Sequence, residues 1–203
     1  MKIALIGASG NIGAKVLAEA LNRSHDVTAI VRHPEKLAPR PRLTIRQGDI
    51  GDTSGLARLL PGHDAVISSV RYTEFDPRAL VDAIKKSGVR RYLVVGGAGN
   101  LRMKSGIRRV DDPEFPAAGR PNSLKGIAFL ELLQGERELD WTFLSPAMFI
   151  NPGERTGKFR LGTDALLYDD KGNSHISQED YAVAMIDELE RPAHSRRQFT
   201  IGY

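Results

Sequence analysis

Three glycines that follow a short apolar run near the amino terminus constrain the fold of this chain more than any other feature. Residues 2–6 have the composition of a buried strand and residues 11–23 that of a helix, and Gly7, Gly10 and Gly13 lie in the turn between them. The spacing is G-x-x-G-x-x-G, a variant of the glycine pattern found in dinucleotide-binding turns. The first glycine permits a sharp turn, the second leaves room for a diphosphate, and the third lets the helix pack closely on the sheet.

The same turn predicts where an anion would bind. Backbone N–H groups at the start of the helix face the anion, and the positive end of the helix dipole lies behind them. We therefore predict that one continuous segment binds the diphosphate of a dinucleotide. Its residues are Gly7, Ala8, Ser9, Gly10, Asn11, Ile12 and Gly13.

Apolar runs alternate with amphipathic segments along the rest of the chain, which is typical of βαβ units around a parallel sheet. Further strands are predicted at residues 26–31, 42–47, 65–69, 92–95, 141–144 and 198–201, and further helices at 52–60, 76–87, 123–136 and 178–190. The 203 residues fit one α/β domain. We expect a Rossmann-type doubly wound parallel sheet with helices on both faces and a small C-terminal elaboration. Residues 146–177 and parts of 97–121 are expected to form the substrate side.

Composition excludes several classes of function. The chain has no cysteine, so disulfides, thiolate metal sites and cysteine nucleophiles are absent, and its five histidines show no metal-ligand spacing. The 29 basic residues are scattered among 25 acidic ones, which argues against nucleic acid as a partner despite the net charge of +4. No apolar run approaches the roughly 18 residues of a membrane span. We expect a cytoplasmic protein with a small-molecule substrate, and the sequence leaves open whether it is a monomer or a dimer.

The end of the second predicted strand distinguishes between the two nicotinamide cofactors. An NAD-specific site usually carries an acidic residue about 20 residues beyond the glycines, where it binds the ribose 2′-hydroxyl. This chain has Val31-Arg32-His33 at that point and no carboxylate. The planar guanidinium of Arg32 suits a 2′-phosphate instead. The sequence therefore favours NADP(H) over NAD(H).

Six short motifs carry a resemblance to a known family. They are Gly7–Gly13, Gly48-Asp-Ile50, Val94-Val-Gly-Gly-Ala98, Trp141-Thr-Phe-Leu-Ser-Pro146, Pro152-Gly-Glu-Arg-Thr-Gly157 and Ile176-Ser-Gln-Glu-Asp-Tyr181. With them the chain resembles the atypical short-chain dehydrogenase/reductases, and within these the NADH-flavin reductase-like group, which is akin to NmrA-like proteins and biliverdin-IXβ reductase. The resemblance covers essentially the whole chain.

This resemblance implies roles for residues outside the glycine turn. Asp49 and Ile50 would flank the adenine, and Ser68, Ser69 and Val70 would line the path to the nicotinamide ribose. The nicotinamide would lie beside Gly96, Gly97 and the segment from Pro146 to Phe149, where Met148 and Phe149 could form an apolar wall for the substrate. Arg155 could face an anionic substrate or pair with the neighbouring Glu154, and pairing is the favoured interpretation.

The departures from the family pattern bear on the chemistry. Typical short-chain dehydrogenases carry a serine after the fifth strand and a Tyr-x-x-x-Lys pair, in which the tyrosine supplies a proton. This chain has Gly96-Gly97 after that strand, and Pro121 stands four residues before the candidate Lys125. The remaining candidate acids are Tyr72, Tyr168 and Tyr181.

Three functions remain open at this stage. A flavin or another planar conjugated acceptor could take a hydride without a strong protein acid, since its proton can come from solvent, and flavin would then be a substrate rather than a tightly bound cofactor. This favours an NADPH-dependent reductase. The first alternative is a non-catalytic NADP(H)-binding redox sensor, and the second, which the missing tyrosine disfavours, is a nucleotide-sugar epimerase or dehydratase.

Overall fold

The computed structural model describes all residues from 1 to 203. Its strands are β1 (Lys2–Ile6), β2 (Asp26–Val31), β3 (Leu43–Gln47), β4 (Ala65–Ser68), β5 (Arg91–Val95), β6 (Asp140–Ser145), β7 (Phe149–Asn151), β8 (Arg160–Gly162), β9 (His175–Ser177) and β10 (Arg197–Gly202). Its helices are α1 (Asn11–Asn22), α2 (Thr53–Leu59), α3 (Pro77–Lys86), α4 (Arg120–Gly135) and α5 (Gln178–Glu190).

One central sheet organises the molecule, with the strand order β3-β2-β1-β4-β5-β6-β10-β8. Every neighbouring pair is parallel except β10 and β8, which are antiparallel. The chain builds outward from β1 in one direction through β2 and β3, and in the other through β4, β5 and β6. The order therefore reverses between β1 and β4, and parallel sheets bind ligands at the carboxyl ends of the strands at such a point.

Apolar residues of the strands face both sides of the sheet, and helices cover both faces. One core cluster includes Val16 and Leu17 of α1 together with Met185 and Leu189 of α5. The opposite cluster joins residues of α2, α3 and α4 to the aromatic side chains of β5 and β6, such as Trp141. This arrangement confirms the predicted Rossmann-type doubly wound sheet. No helix has the length and apolar character needed to cross a lipid bilayer.

A buried ion pair joins the sheet to the last turns of α5. The Arg91 guanidinium donates to the Glu188 carboxylate at 3.0 Å, and both side chains are under one-tenth exposed. Burial raises the pKa of Glu188, but hydrogen bonds from the His194 ring and from backbone N–H groups, with the charge of Arg91, bring it below its ordinary value. The carboxylate is therefore held in its charged form inside the protein.

The boundaries of the regular elements differ from prediction mainly after β5. Helix α4 begins at Arg120 and includes Pro121, whereas the prediction started it at residue 123. Proline fits the first turn of a helix because the N–H groups there need no partner within the helix. The preceding segment forms three short 3-10 turns at Ala98–Asn100, Arg109–Asp111 and Ala117–Gly119. The short strands β7, β8 and β9 were not predicted, since three residues are too few to show a period.

Candidate functional site

A cleft of about 230 Å³ opens at the carboxyl ends of β1, β2 and β4, where the strand order reverses. We call it the switch-point cleft. Its walls combine the glycine turn with the ends of the second and fourth strands and a set of basic side chains. They consist of Ile6, Gly7, Ser9, Gly10, Ile30, Val31, Arg32, His33, Lys36, Gly48, Ile50, Ser69, Val70, Arg71 and Glu74.

The glycine turn is packed so closely that Gly7 and Gly13 must be glycine, since a Cβ on Gly13 would come within 2.1 Å of the Gly7 carbonyl oxygen. Gly7 has a φ of +84°, and a Cβ on it would come within 2.2 Å of the Ser69 carbonyl oxygen. Gly10 differs, because a Cβ there would meet its nearest atom, the Gly7 oxygen, only at 3.4 Å. A methyl group at Gly10 would instead occupy part of the cleft. The space beside Gly10 is therefore a cradle that a larger side chain would fill.

The amino terminus of α1 is available to an anion. Gly10 caps this helix without a side-chain hydrogen bond, and its first turn contains no acidic residue. By contrast, the side chains of Asp52, Asp76 and Ser177 accept hydrogen bonds at the starts of α2, α3 and α5. The first N–H groups of α1 keep their donor capacity, and the helix dipole is not neutralised by a carboxylate. These features fit the diphosphate of a dinucleotide.

Basic side chains lie at the β2 end of the cleft. Arg32 is 57% exposed and contacts Glu74 at 3.1 Å between guanidinium nitrogen and carboxylate oxygen. His33 also lines the cleft and pairs at 3.2 Å with Glu35, which does not line it. Lys36 and Arg71 also line the cleft, and neither forms an ion pair. The cleft therefore contains three lysine or arginine side chains, of which Arg32 is paired.

Asp49 and Ser68, two of the residues expected beside the cofactor, have side chains that do not line the cleft. The Asp49 carboxylate accepts a hydrogen bond from the Gly51 N–H at 2.8 Å and so stabilises a turn, while Ile50 and Gly48 form the wall. Ser68 is 2% exposed, and its hydroxyl pairs with the Tyr92 hydroxyl at 2.7 Å inside the core. The structure gives both polar groups a structural partner. Ala8 is likewise fully buried in the core, so only its backbone can serve a ligand.

The expected nicotinamide side lies at the ends of β5 and β6. The Gly96 N–H donates to the Leu144 carbonyl at 2.8 Å, and a Cβ on Gly96 would come within 2.5 Å of that same oxygen. Gly97 is more open, since a Cβ there would meet its nearest atom at 4.0 Å. Pro146 is buried, directly after β6. Close packing therefore requires glycine at position 96, whereas Gly97 has free space beside it.

The two candidate wall residues have different surroundings. The Met148 N–H donates to the Ser174 hydroxyl at 3.1 Å, and its side chain is half-buried. Phe149 is 57% exposed, although an aromatic side chain of this size is usually buried. Its ring is therefore free to contact a ligand.

Arg155 does not pair with Glu154, its neighbour in the sequence. Its guanidinium makes two hydrogen bonds of 2.8 Å with the Glu19 carboxylate on α1, rather than with the adjacent Glu154. Thr156 and Gly157 bind the Asp180 carboxylate in the same segment. These contacts fasten the loop of residues 152–158 across α1 and α5. The interpretation of an Arg155–Glu154 pair was wrong, because long-range packing brings a buried carboxylate within reach.

Two of the candidate proton donors are committed to backbone groups. The Tyr72 hydroxyl donates to the Val95 carbonyl at 2.7 Å and the Tyr181 hydroxyl to the Leu144 carbonyl at 2.6 Å. Both rings are buried, and burial raises the pKa of each tyrosine well above its ordinary value. Such hydroxyls hold the ends of β5 and β6 and are poor acids. The structure therefore gives both candidate hydroxyls a structural role.

The third tyrosine and the candidate lysine lie elsewhere. The Tyr168 ring lies under the Lys104 ammonium, 4.5 Å from it, and the two come from the segments expected to form the substrate side. Backbone hydrogen bonds join the same segments, from Arg102 to Asp164 and from Leu166 to Arg102. Lys125 is on the exposed face of α4 and forms no ion pair.

Three cleft residues carry no sequence signal that sets them apart. Lys36, Arg71 and Glu74 belong to loops after β2 and β4. The only general indication is their place directly after parallel strands, where ligand-binding residues concentrate. Which of them meet one another depends on the strand order.

Comparison with known proteins agrees with this geometry. Residues 7–192 match the model of the NAD(P)H-binding family. YwnB, an uncharacterised protein of Bacillus subtilis strain 168, is 39% identical over 211 aligned positions, which cover 99% of this chain and 98% of that protein.

Solved structures extend the likeness to the whole fold. A candidate epimerase from Bacteroides thetaiotaomicron has a TM-score of 0.94 and 47% identity, covering 100% of this chain and 96% of that one. A candidate NADH-flavin reductase from Streptococcus pneumoniae TIGR4 has a TM-score of 0.83 and 32% identity, covering 100% and 99% of the two chains.

Proposed function

The chain belongs to the NAD(P)H-binding family, and from this premise we propose that it is an NADPH-dependent reductase of a planar conjugated acceptor such as a flavin. The observation that carries the proposal is the uncapped start of α1 behind the open space at Gly10, with unpaired cations in the same cleft. The likeness to a candidate NADH-flavin reductase supports it.

Binding of the cofactor is assigned to the switch-point cleft. The N–H groups of Asn11, Ile12 and Gly13 would hold the diphosphate, because no side chain of the protein competes for them. Arg32, with Lys36 and Arg71, would bind the 2′-phosphate that distinguishes NADPH from NADH. Arginine presents a planar fork of donors to a phosphate, and the two further cations add charge.

The nicotinamide half would extend from Ser69 and Val70 toward Gly97 and Pro146. When bound, NADPH supplies two electrons as a hydride, and the proton that completes the reduction comes from water. The protein's task is to hold the acceptor flat against the cofactor and to exclude water from that contact. The exposed Phe149 ring and the half-buried Met148 would form the apolar surface for the acceptor.

This assignment accounts for the missing proton donor. Tyr72 and Tyr181 hold backbone carbonyls, and the Tyr-x-x-x-Lys positions contain Pro121 and the exposed Lys125. Reduction of a carbonyl requires an acid near the reacting oxygen. A conjugated acceptor can take its proton from solvent, so its reduction does not need that acid.

The likeness to a candidate epimerase favours a second function, a reaction on a nucleotide sugar. Short-chain dehydrogenase-type epimerases rely on the tyrosine that this chain lacks, and we therefore rank this function below the reductase. A non-catalytic NADP(H) sensor would also fit the cleft. The three functions differ in what they consume: a reductase oxidises NADPH with its acceptor, an epimerase or dehydratase changes the sugar without net use of NADPH, and a sensor does neither.

The test combines two measurements on the purified protein: loss of NADPH absorbance with FMN, FAD or biliverdin, and chromatography of a nucleotide sugar incubated with the protein, because epimerisation and dehydration consume no NADPH. We expect turnover above the protein-free rate with at least one planar acceptor and none with the sugar. Gly10→Ala tests whether the cleft is needed. Its methyl group fills the cradle with little strain, so the variant should remain folded but lose turnover. Background rates across a broad acceptor panel would overturn the reductase and leave the sensor.

A further inference from the structure

A carboxylate lies beside Arg32 in the cleft, although the sequence has no acidic residue at the end of β2. Glu74 ends the short turn Tyr72–Glu74 that follows β4, and its carboxylate lies 3.1 Å from the Arg32 guanidinium at the end of β2. Both side chains line the switch-point cleft. The two residues come from strands on opposite sides of β1, so their meeting is a product of the strand order.

In dinucleotide sites, the residue at the end of the second strand contacts the 2′ position of the ribose. Where NAD is preferred, a carboxylate at the end of the second strand accepts a hydrogen bond from the ribose 2′-hydroxyl. Here β2 ends in Arg32, and the carboxylate comes from the β4 side instead. The cleft therefore holds a partner for a 2′-phosphate and a partner for a 2′-hydroxyl at one corner.

We propose that Glu74 determines the cofactor selectivity of this cleft. It accepts the ribose 2′-hydroxyl of NADH, and it competes with the 2′-phosphate of NADPH for Arg32. The inference rests on the dinucleotide binding of the proposed function and deepens it. Its consequence is a protein that uses both cofactors, with a preference for NADPH that is smaller than Arg32 alone would give.

The charges in the cleft support this competition. A guanidinium that binds a carboxylate loses donors that a phosphate would otherwise use, and a phosphate beside a carboxylate is repelled. NADPH must therefore displace Glu74 from Arg32. The carboxylate has no other side-chain partner, so it can swing away, and the unpaired Lys36 and Arg71 remain to attract the phosphate.

The carboxylate is also exposed enough to be replaced without disturbing the fold. The Glu74 side chain is 33% exposed and packs no core residue into place. Glu74→Gln keeps the size of the side chain and removes the charge. Glu35→Gln is the matched control, because Glu35 lies near the same basic residues but pairs with His33 and does not line the cleft.

The experiment is isothermal titration of the wild type and both variants with NADPH and NADH at fixed ionic strength. We expect Glu74→Gln to bind NADPH at least fivefold more tightly and NADH at least twofold more weakly, so that the ratio of the two dissociation constants changes at least tenfold. In Glu35→Gln this ratio should stay within a factor of two of the wild type. Equal thermal midpoints would show that all three proteins are folded.

Two other results would overturn the inference, and they differ in what they say of the proposed function. If the wild type binds both nucleotides and Glu74→Gln leaves their ratio as in Glu35→Gln, Glu74 has no role in selectivity and the reductase proposal stands. If the wild type binds neither nucleotide at millimolar concentration, both proposals fail. Because binding is the readout, the result does not depend on finding the natural acceptor.

Discussion

The α-carbon of Gly13 lies directly over the carbonyl oxygen of Gly7. A Cβ on Gly13 would come within 2.1 Å of that oxygen, a distance that no side chain can adopt without movement of the backbone. The contact joins the first turn of α1 to the end of β1. It fixes the start of α1 against the end of β1, directly after Gly10, which lines the cleft.

Replacing Gly13 by alanine should therefore disturb both folding and binding. We expect Gly13→Ala to lower the free energy of unfolding by about 1–3 kcal/mol, as overpacking does in other cores. The displaced helix start should weaken binding of NADPH at least tenfold. Urea unfolding and titration calorimetry measure the two effects.

Gly135 provides a matched control at the end of α4, where nothing lies within 4 Å of an added Cβ. Gly135→Ala should leave binding unchanged and change stability by at most about 1 kcal/mol. Wild-type affinity in Gly13→Ala would show that α1 does not hold the diphosphate.

Arg32 should distinguish the two cofactors. We expect Arg32→Ala to weaken binding of NADPH at least tenfold and of NADH by less than threefold, because only NADPH carries the 2′-phosphate. Arg191→Ala serves as the control, since Arg191 lies beyond α5, far along the chain from the cleft, with an 81% exposed side chain. Fluorescence titration of both nucleotides would check this. An equal loss for both would contradict the preference for NADPH.

The buried Glu19 should make stability depend on pH. Hydrogen bonds from Arg155, opposed by burial and aided by Arg23, lower the pKa of Glu19 below its ordinary value of 4.5. A carboxyl group whose pKa is lowered by folding stabilises the protein above its unfolded-state pKa, and that contribution is lost as the pH falls through the folded-state value. We expect Glu19→Gln to cost about 1.5–3 kcal/mol at pH 7, since its hydrogen bonds are to charged groups.

The pH dependence provides the check on this assignment. The difference in unfolding free energy between wild type and Glu19→Gln should be constant well above the ordinary glutamate pKa of 4.5 and shrink as the pH falls below it, as the wild-type carboxyl becomes protonated. Asp82→Asn, at an exposed site on α3 without an ion pair, should show no such difference. A constant difference down to pH 3 would mean that the charge of Glu19 is not what stabilises the protein.

The buried tyrosines should be structural. We expect Tyr72→Phe and Tyr181→Phe each to lower the unfolding free energy by about 1 kcal/mol, because each removes a buried hydrogen bond to a backbone carbonyl. The rate of reduction of the best acceptor per folded molecule should remain within about threefold of the wild type. A loss of a hundredfold or more with unchanged cofactor affinity would instead identify that hydroxyl as the proton donor.

Local patterns in the sequence were enough to predict the architecture. The alternation of apolar and amphipathic segments predicted the parallel strands, and the position of Gly7, Gly10 and Gly13 predicted a turn between β1 and α1. These signals are local, since a strand, a sharp turn and a helix each depend on neighbouring residues. The short strands β7 to β9 were not predicted, because their pairing with other strands defines them and their own residues show no pattern.

The partners of individual side chains could not be predicted in this way, because they come from distant parts of the chain. The sequence indicated Arg32 for a phosphate but not the Glu74 carboxylate beside it, and it paired Arg155 with Glu154 instead of the distant Glu19. It also left Tyr181 as a possible acid, although packing of α5 on the sheet buries that hydroxyl against Leu144.

By itself, then, the sequence determined which segments become strands and helices and where a diphosphate could meet the backbone, because these depend on residues close together in the chain. Only the tertiary structure decided which charges meet in the cleft and which hydroxyls are sequestered. Those outcomes depend on the order of the strands and on contacts between residues as far apart as Glu19 and Arg155. The pattern of residues along the chain does not indicate which distant residues come into contact.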